Sequence, residues 1–516
     1  MRSSASDSKK ELLKGAASLS IAALFVKVLG VAYKIPLSHI LGDDGMGYFN
    51  TAYTVYTFFF LICTAGVPKA ITLLVTENNS GKNDTCGALI KTARRTFILI
   101  GMALAIILVT AAFPIAGFIG NRRAAFAMIT IAPAIPFIAG TAVYRGYLNG
   151  NMRFGIVAIS QFIEAAIKLV MGLALAGIAT HLRLSTEHVA AAAIFGITLG
   201  SITTFLQLHA SSKPINKEKN AGQSFIFSKS LLNRILKISF PITLSSAIVS
   251  LVNIVDLTVI IRGLKQAGYT ENLSTLLYGN YTTLAVPMFN FALSVTSSIC
   301  VSALPILTKF ALNKEREQFE SSLAYTSGLT AFFALPATVL FGFFAREILV
   351  LLFDYSSVAI GSSMLTLLSP SITLVAILTV INTALEAKGG YIVPLISMSA
   401  GGIAKIISST IMVGKAEVGL WGAPLGTLIS YFVSILFSLA IYHSRIGRIF
   451  SLVKSFFVSA TCAIIAAIPA IALKNHFLNE SVFHSMILIA FYGGTYLLLS
   501  FMSGSLPIKR SKNMAK

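Results

Sequence analysis

Acidic residues are scarce in this sequence: 19 Asp and Glu stand against 40 Lys and Arg in 516 residues, for a formal net charge of +21. Charge of either sign is thin as well, at 11% of residues, where an ordinary globular domain carries about 25%. With 55% hydrophobic residues and a mean hydropathy of +0.81, a chain of this length cannot cover itself for water. That excludes a soluble protein. Cysteine is sparse too: Cys63, Cys86, Cys300 and Cys462 form no CxxC pair and three fall in apolar runs, so neither a disulfide framework nor a zinc site is indicated. Histidine appears seven times, scattered. No GxxxxGK[ST], HExxH or GxSxG stretch occurs, which removes a P-loop ATPase, a zinc peptidase and a serine hydrolase from consideration. No connecting segment is long enough for a catalytic domain. The chain is therefore read as a non-enzyme, with no catalytic residue, metal or organic cofactor.

What is present in quantity is long apolar runs. A spanning helix needs about 20 mostly apolar residues. Fourteen candidates meet that length, near 16–41, 48–76, 96–120, 124–149, 154–178, 188–209, 235–262, 277–308, 322–345, 357–387, 391–413, 418–442, 450–473 and 482–504. The expected fold is an all-α polytopic membrane protein of about 14 transmembrane helices. Internal prolines (Pro36, Pro68, Pro133, Pro136, Pro287, Pro370) predict kinks. The first apolar run contains Lys27 and Lys34 and has no small-residue cleavage site, so it reads as a retained span. GDDGMG (42–47) falls between the first two spans and reads as a tight external turn rather than a metal motif.

Placing the N-terminus in the cytoplasm puts 27 basic residues in cytoplasmic segments and 8 in external loops. Basic residues resist translocation and lie well beside anionic lipid, so both termini are expected inside. The same bias explains the high pI without nucleic acid. The expected setting is the cell membrane, among membrane lipids, as a monomer.

The longest loop, around 210–234, is rich in Lys and Ser and follows six spans. It reads as a linker between two halves. YLNGNMRFGIVAISQFIEAAIK (147–168) aligns with ALEAKGGYIVPLISMSAGGIAK (384–405) at a constant offset of 237, pairing Leu148 with Leu385, Ser160 with Ser397 and Lys168 with Lys405. YFN (48–50) over YGN (278–280) adds a second match. The expected organisation is an N-lobe (1–222, spans 1–6), a C-lobe (223–443, spans 7–12) and an appendage (444–516, spans 13–14 and a basic tail). Six spans per lobe make the repeats parallel, an arrangement that binds substrate between lobes and alternates access.

Charges inside spans are expensive, about 2.5–3.5 kcal/mol each on insertion scales. Lys27, Lys34, Lys69, Lys168 and Lys405 lie within the spans, against Glu164 and Asp256. Lys34 and Lys405 can snorkel to headgroups. Glu164 and Lys168, four residues apart, can pair on one helix face. Asp256 and Glu164 are the intramembrane acidic candidates for a coupling cation, Na⁺ or H⁺, and Asp256 can instead pair with a lysine. The surplus of cations suits a cavity for an anionic substrate such as a phosphate or diphosphate.

The stretch FVKVLGVAYKIPLSHILGDDGMGYFNTAYTVYTFFFLICTAGVPKAITLLVTE (25–77) resembles the N-terminus of the stage V sporulation protein B and polysaccharide-biosynthesis branch of the multidrug/oligosaccharidyl-lipid/polysaccharide (MOP) flippase superfamily. YRGYLNGNMRF (144–154) is similar to that family's RGY-x-x-G segment. The resemblance implies a flippase for undecaprenyl-linked saccharide precursors, lipid II among them as in MurJ-like proteins. Against the MurJ-type pattern R-V-L-G-F-x-R-D, Lys27 takes the first Arg position, Tyr33 the second, and Lys34 the place of the Asp. Lys69 is a nearby substitute for the span-2 arginine, and Asp256 is the residue left to carry a sodium-site role. On this reading Lys27, with Lys69 and Lys34, holds the diphosphate, and spans 2 and 8 flex at Pro68 and Pro287. Precursor synthases and polymerases on either side of the flip are the implied partners. The alternative is a cation-coupled drug exporter of the MATE branch, which predicts an acidic cavity.

Overall fold

The computed structural model describes residues 2–80, 86–219, 229–353, 355–390, 392–445, 450–476 and 482–503. Among these residues every regular element is helical. The first part of the chain contributes α1 (Arg2–Thr64), α2 (Val67–Ser80), α3 (Cys86–Ile119), α4 (Ala125–Ile131), α5 (Ala134–Gly150), α6 (Phe154–His181), α7 (Thr186–Lys219), α8 (Lys229–Gln266) and α9 (Glu271–Asn280). The second contributes α10 (Val286–Leu312), α11 (Arg316–Phe343), α12 (Ala345–Leu352), α13 (Tyr355–Ala387), α14 (Ile392–Val413), α15 (Gly422–Arg445), α16 (Phe450–His476) and α17 (Val482–Met502).

Eleven helices are long and apolar enough to cross a membrane, or twelve when Arg122–Ile131 and Ala134–Gly150, bent by 45°, count as one span. The chain is thus a multi-pass membrane protein, with fewer such helices among the described residues than the fourteen expected. Ala32–Asn78 runs the first two expected spans together, and α8 is not among the eleven. The break inside α1 is a single residue: Gly42 takes φ 62° and ψ −176°, a conformation that a Cβ would strain. The turn expected over GDDGMG is therefore confined to its first glycine. Nor does the second expected span run through Pro68. The helix stops at Thr64, and Pro68 enters α2 in its first turn, where a missing N–H leaves no bond unmade.

The chain divides into two compact units, Met1–Ile261 with Glu271–Gly279, and Arg262–Thr270 with Asn280–Lys516. The division falls inside α8 rather than at the linker near 222, because the start of α8 belongs with the first unit. Arg234 is 2.8 Å from Glu77 of α2, and Gly66 lies so close to the Ser239 carbonyl that a side chain there would collide with it. α16 and α17, expected as an appendage, group with the second unit.

The repeat is written into backbone hydrogen bonds. After α5, Met152 N bonds Asn149 O at 3.0 Å, Arg153 N bonds Leu148 O at 2.8 Å and Ile156 N bonds Arg153 O at 3.2 Å. After α13, at the same offset of 237, Gly389 N bonds Glu386 O at 2.9 Å, Gly390 N bonds Leu385 O at 2.8 Å and Val393 N bonds Gly390 O at 3.1 Å. Met152 (φ 58°) and Gly389 (φ 82°) both take the left-handed conformation that ends a helix in this way. The serine hydroxyls agree, Ser160 donating to Val157 O at 2.7 Å and Ser397 to Pro394 O at 3.1 Å.

In the second unit, α17 is fastened to α11 at a proline. Pro336 has no N–H to give the Phe332 carbonyl one turn back. Tyr496 of α17 donates its hydroxyl to that carbonyl at 2.9 Å, and Tyr492 donates to Pro336 O at 3.2 Å. Both tyrosines are buried. Lys474 at the end of α16 meets Glu347 of α12 at 2.7 Å. Tyr496→Phe is expected to lower stability by about 1–2 kcal/mol, since the carbonyl is left unsatisfied in an apolar setting; the melting temperature of the detergent-solubilised chain measures it.

Candidate functional site

The site begins with helix periodicity. Phe49, Tyr53, Tyr56 and Phe60 recur every three or four residues and so share one face of α1 beyond its break. Phe49 stacks on Tyr53 with ring centroids 6.2 Å apart, and Tyr53 and Tyr56 lie 5.9 Å apart. Tyr33, before the break, closes edge-on against Phe49 and anchors its hydroxyl to Ala193 O of α7 at 3.1 Å. On α6, Gln161, Glu164, Ala165 and Lys168 occupy the i, i+3, i+4 and i+7 positions of one stripe. Close backbone approach brings α7 against the far side of α6: Gly196 sits on Gly172, and Gly200 on the Glu164 carbonyl.

Between these faces lies a cavity of about 670 Å³, within the first unit. Tyr33, Tyr53, Tyr56, Arg145, Glu164 and Lys168 supply its polar wall, and Gln161 and Thr57 add neutral hydrogen-bonding groups. Lys168 holds its ammonium 5.1 Å from the Tyr53 ring centroid and 5.5 Å from that of Tyr33. Two aromatic faces thus stabilise a cation in a poorly solvated place.

Arg145 is the residue that sequence reading missed. It stands at the end of the span expected over 124–149, where a basic residue reads as a mark of the cytoplasmic side, and the last turns of α5 carry it into the cavity. Its Nη2 donates to Glu164 Oε2 at 2.7 Å and its Nε to Ser160 Oγ at 3.2 Å. The Arg145 and Glu164 side chains are 16% and 25% exposed. Glu164 is therefore held by α5, in place of the pairing with Lys168 along its own helix that the sequence suggested. α5 is in turn fixed next door: Arg94 of α3 donates to the Tyr144 hydroxyl at 2.9 Å, and Tyr144 lies 2.6 Å from His209 Nδ1 of α7. The RGY segment was the available signal, had its arginine been read as helical.

The other candidates lie elsewhere. Lys27 is on α1, but its side chain is outside the described residues. Lys34 is half-buried and donates to Asn50 Oδ1 at 3.3 Å, bridging the Gly42 break. Lys69 is exposed in the first turn of α2, outside the cavity lining. Lys405 is half-buried on α14 in the second unit, at the repeat position of Lys168; the counterparts of Arg145 and Glu164 there are Asn382 and Gly401, so the ionic cluster is not repeated. Asp256 is half-buried on α8 and is not part of the lining. Pro287 follows a π-helical turn, Tyr281–Ala285, in which the bonding is already displaced from α-helical register.

Comparison with known proteins places the fold. The family model for polysaccharide biosynthesis proteins matches residues 12–311. Stage V sporulation protein B of Bacillus subtilis (strain 168) is 22% identical over 476 residues, covering 91% of this chain and 90% of that protein. Lipid II flippase MurJ of the same organism is 20% identical over 487 residues, covering 90% and 88%. A solved structure of lipid II flippase MurJ in an inward closed conformation superposes with a TM-score of 0.71 at 20% identity, over 94% of this chain and 98% of that one. An inward-facing MATE family transporter gives 0.66 at 14% identity, over 84% and 99%. With a family model covering more than half its length, the chain belongs to the polysaccharide biosynthesis protein family, and its fold is MurJ-like.

Proposed function

We propose that this protein is a flippase that moves a polyprenyl-diphosphate-linked saccharide across the cytoplasmic membrane by alternating access. The observation that carries the reading is the sign and shape of the cavity in the first unit. Lys168 and Arg145 outnumber Glu164 there, beside a wall of three tyrosines. A diphosphate seeks cations with directional donors, and a guanidinium offers them in a fixed fork. Sugar rings present an apolar face that lies well on aromatic rings, while their hydroxyls bond phenols, Gln161 and Thr57. Lys168 takes first place in holding the phosphate, with Arg145 beside it. Lys27 remains a proposed ligand on the strength of its motif.

Pro68 and Pro287 are the proposed hinges. The helix break at Ala65 and Gly66 and the π-helical turn before Pro287 support them, since both loosen the bonding ladder next to the proline. The proposed orientation keeps both termini cytoplasmic, on the distribution of basic residues.

A MATE-type exporter shares this fold, but a drug cation would meet two cations in this cavity. The test is complementation. A Gram-positive strain depleted of its lipid II flippases is expected to regain growth, and external labelling of lipid II, when it expresses this chain. Membrane-inserted protein without rescue of either would turn lipid II down and direct the search to other diphosphate-linked saccharides.

A further inference from the structure

We infer that the cavity takes up one proton with each substrate diphosphate, and that Glu164 receives it. This rests on the reading of the cavity as a diphosphate site. In the structure the Glu164 carboxylate occupies the place on Arg145 that a phosphate oxygen would take: Nη2 to Oε2 is 2.7 Å. Arg145 is not free to turn away. Its Nε is engaged by Ser160 Oγ at 3.2 Å, and Ser160 is tied to Val157 O at 2.7 Å, so the fork keeps one orientation. A ligand phosphate therefore either displaces the carboxylate from Nη2 or binds beside it on the remaining N–H groups of the same guanidinium, and in both cases two anions share that cation.

Charge balance decides what the carboxylate then does. Arg145, Lys168 and Glu164 are the ionised groups among the described lining residues, with a net charge of +1. A diphosphate diester carries two negative charges that do not titrate near neutrality. Bound beside an ionised Glu164, it would leave a net −1 with two anions in contact in a poorly solvated space. Like charges in that position disfavour ionisation of one of them, and the carboxylate is the one that can accept a proton. Protonated, Glu164 leaves +2 against −2, and its new O–H is a donor for the phosphate.

The step balances without any covalent change to the ligand. A solvent proton adds to the Glu164 carboxylate, and where the phosphate displaces it Arg145 Nη2 passes its hydrogen bond from Oε2 to a phosphate oxygen. Loss of the proton re-forms the Arg145–Glu164 pair and competes the diphosphate off, which makes Glu164 a release device as well.

Among the described residues, no other group facing Glu164 suits the role. α1 presents Tyr33, Tyr53 and Tyr56, phenols that offer hydrogen bonds and no carboxylate. Lys34, also on α1, is bonded to Asn50. α5 presents Arg145, always protonated. α6 adds Lys168, already cationic. α7 meets Glu164 through Gly200 and lines the cavity with Ile197, neither of them titratable.

The experiment is calorimetric titration of the full chain in detergent with farnesyl-diphosphate N-acetylglucosamine, a diphosphate diester, at one pH in two buffers of different ionisation enthalpy. The expected result is uptake of about one proton per probe, with Kd rising up to about tenfold per pH unit towards alkaline pH. Glu164→Gln is expected to bind as tightly as the wild type or more so, with no proton uptake and no pH dependence. Binding by the wild type without proton uptake overturns the inference. So does uptake that survives in Glu164→Gln and disappears in Asp256→Asn. In either case, binding that is lost in Lys168→Met leaves the diphosphate reading standing. Absence of binding by the wild type overturns both. The proton count is read on the wild type, so a poorly folding variant does not remove the test.

Discussion

Replacing Arg145 by Ala is expected to destabilise the protein by about 3–5 kcal/mol, the penalty for leaving a partner charge unpaired away from water. The partner is Glu164, 25% exposed in its side chain and bonded at 2.7 Å. Ser160 Oγ would lose its guanidinium donor in the same change. Glu164→Ala should destabilise in the same range, for the mirror-image reason. The double variant Arg145→Met/Glu164→Leu separates stability from function. Two apolar side chains of similar volume remove both charges at once, and such replacements are often neutral or stabilising. The double variant is therefore expected to melt within a few degrees of the wild type and to transport nothing, because its cavity retains a single cation from the cluster. Thermal unfolding in detergent, beside a flipping assay on the same preparations, reads both quantities. A double variant as unstable as the single ones would show that the pair organises α5 and α6 rather than balancing charge.

Lys168→Met is expected to behave in the opposite way, with little effect on the fold and a large effect on transport. The ammonium rests on two tyrosine rings without a carboxylate partner in the cavity wall other than Glu164, which Arg145 engages. Methionine fills nearly the same volume and leaves no buried charge behind. A charge-assisted contact to phosphate contributes about 1.5–3 kcal/mol, so its loss should lower diphosphate affinity by about 10–150-fold. Lys168→Arg should recover part of it. Lys69→Met, at an exposed position outside the cavity lining, should stay within about twofold of the wild type by the same scale. Equal losses in Lys168→Met and Lys69→Met would move the phosphate site away from the tyrosine wall.

The contrast between these residues shows what a sequence can and cannot convey about such a site. Lys168 stood out because a lysine inside an apolar run is costly wherever it points. Arg145 sat at the edge of an apolar run, where basic residues normally mark a cytoplasmic loop, and the rule that orients the chain concealed it. Its partner is nineteen positions away across a helix hairpin, a separation with no periodic signature, whereas the i, i+4 neighbour Lys168 offered a plausible local pair. The tyrosine wall was legible in principle, since 49, 53, 56 and 60 keep helical spacing, but aromatic stripes also pack against lipid and against other helices.

For the fold, the offset of 237 was readable because the repeat keeps its helix-ending turns and its serine, and the same hydrogen bonds recur at Met152 and Gly389. Proline was the misleading signal. Kinks were expected where prolines stand, yet the break in α1 is at Gly42 and the next at Ala65–Gly66, before Pro68. Proline removes one hydrogen bond inside a helix but none in its first turn, so its position relative to the helix start matters more than its presence.

The central claim is that this chain flips a polyprenyl-diphosphate saccharide using the cations of the tyrosine-walled cavity. Its most direct test is a reconstituted assay: proteoliposomes carrying a fluorescent polyprenyl-diphosphate saccharide, with a membrane-impermeant reagent reporting how much of the lipid has changed leaflet. Wild-type protein is expected to expose the inner-leaflet lipid far faster than protein-free liposomes, and Lys168→Met to fall back to that background. Wild-type liposomes that stay at background, while the same preparation exports a cationic dye, would contradict the flippase reading and put a MATE-type exporter in its place.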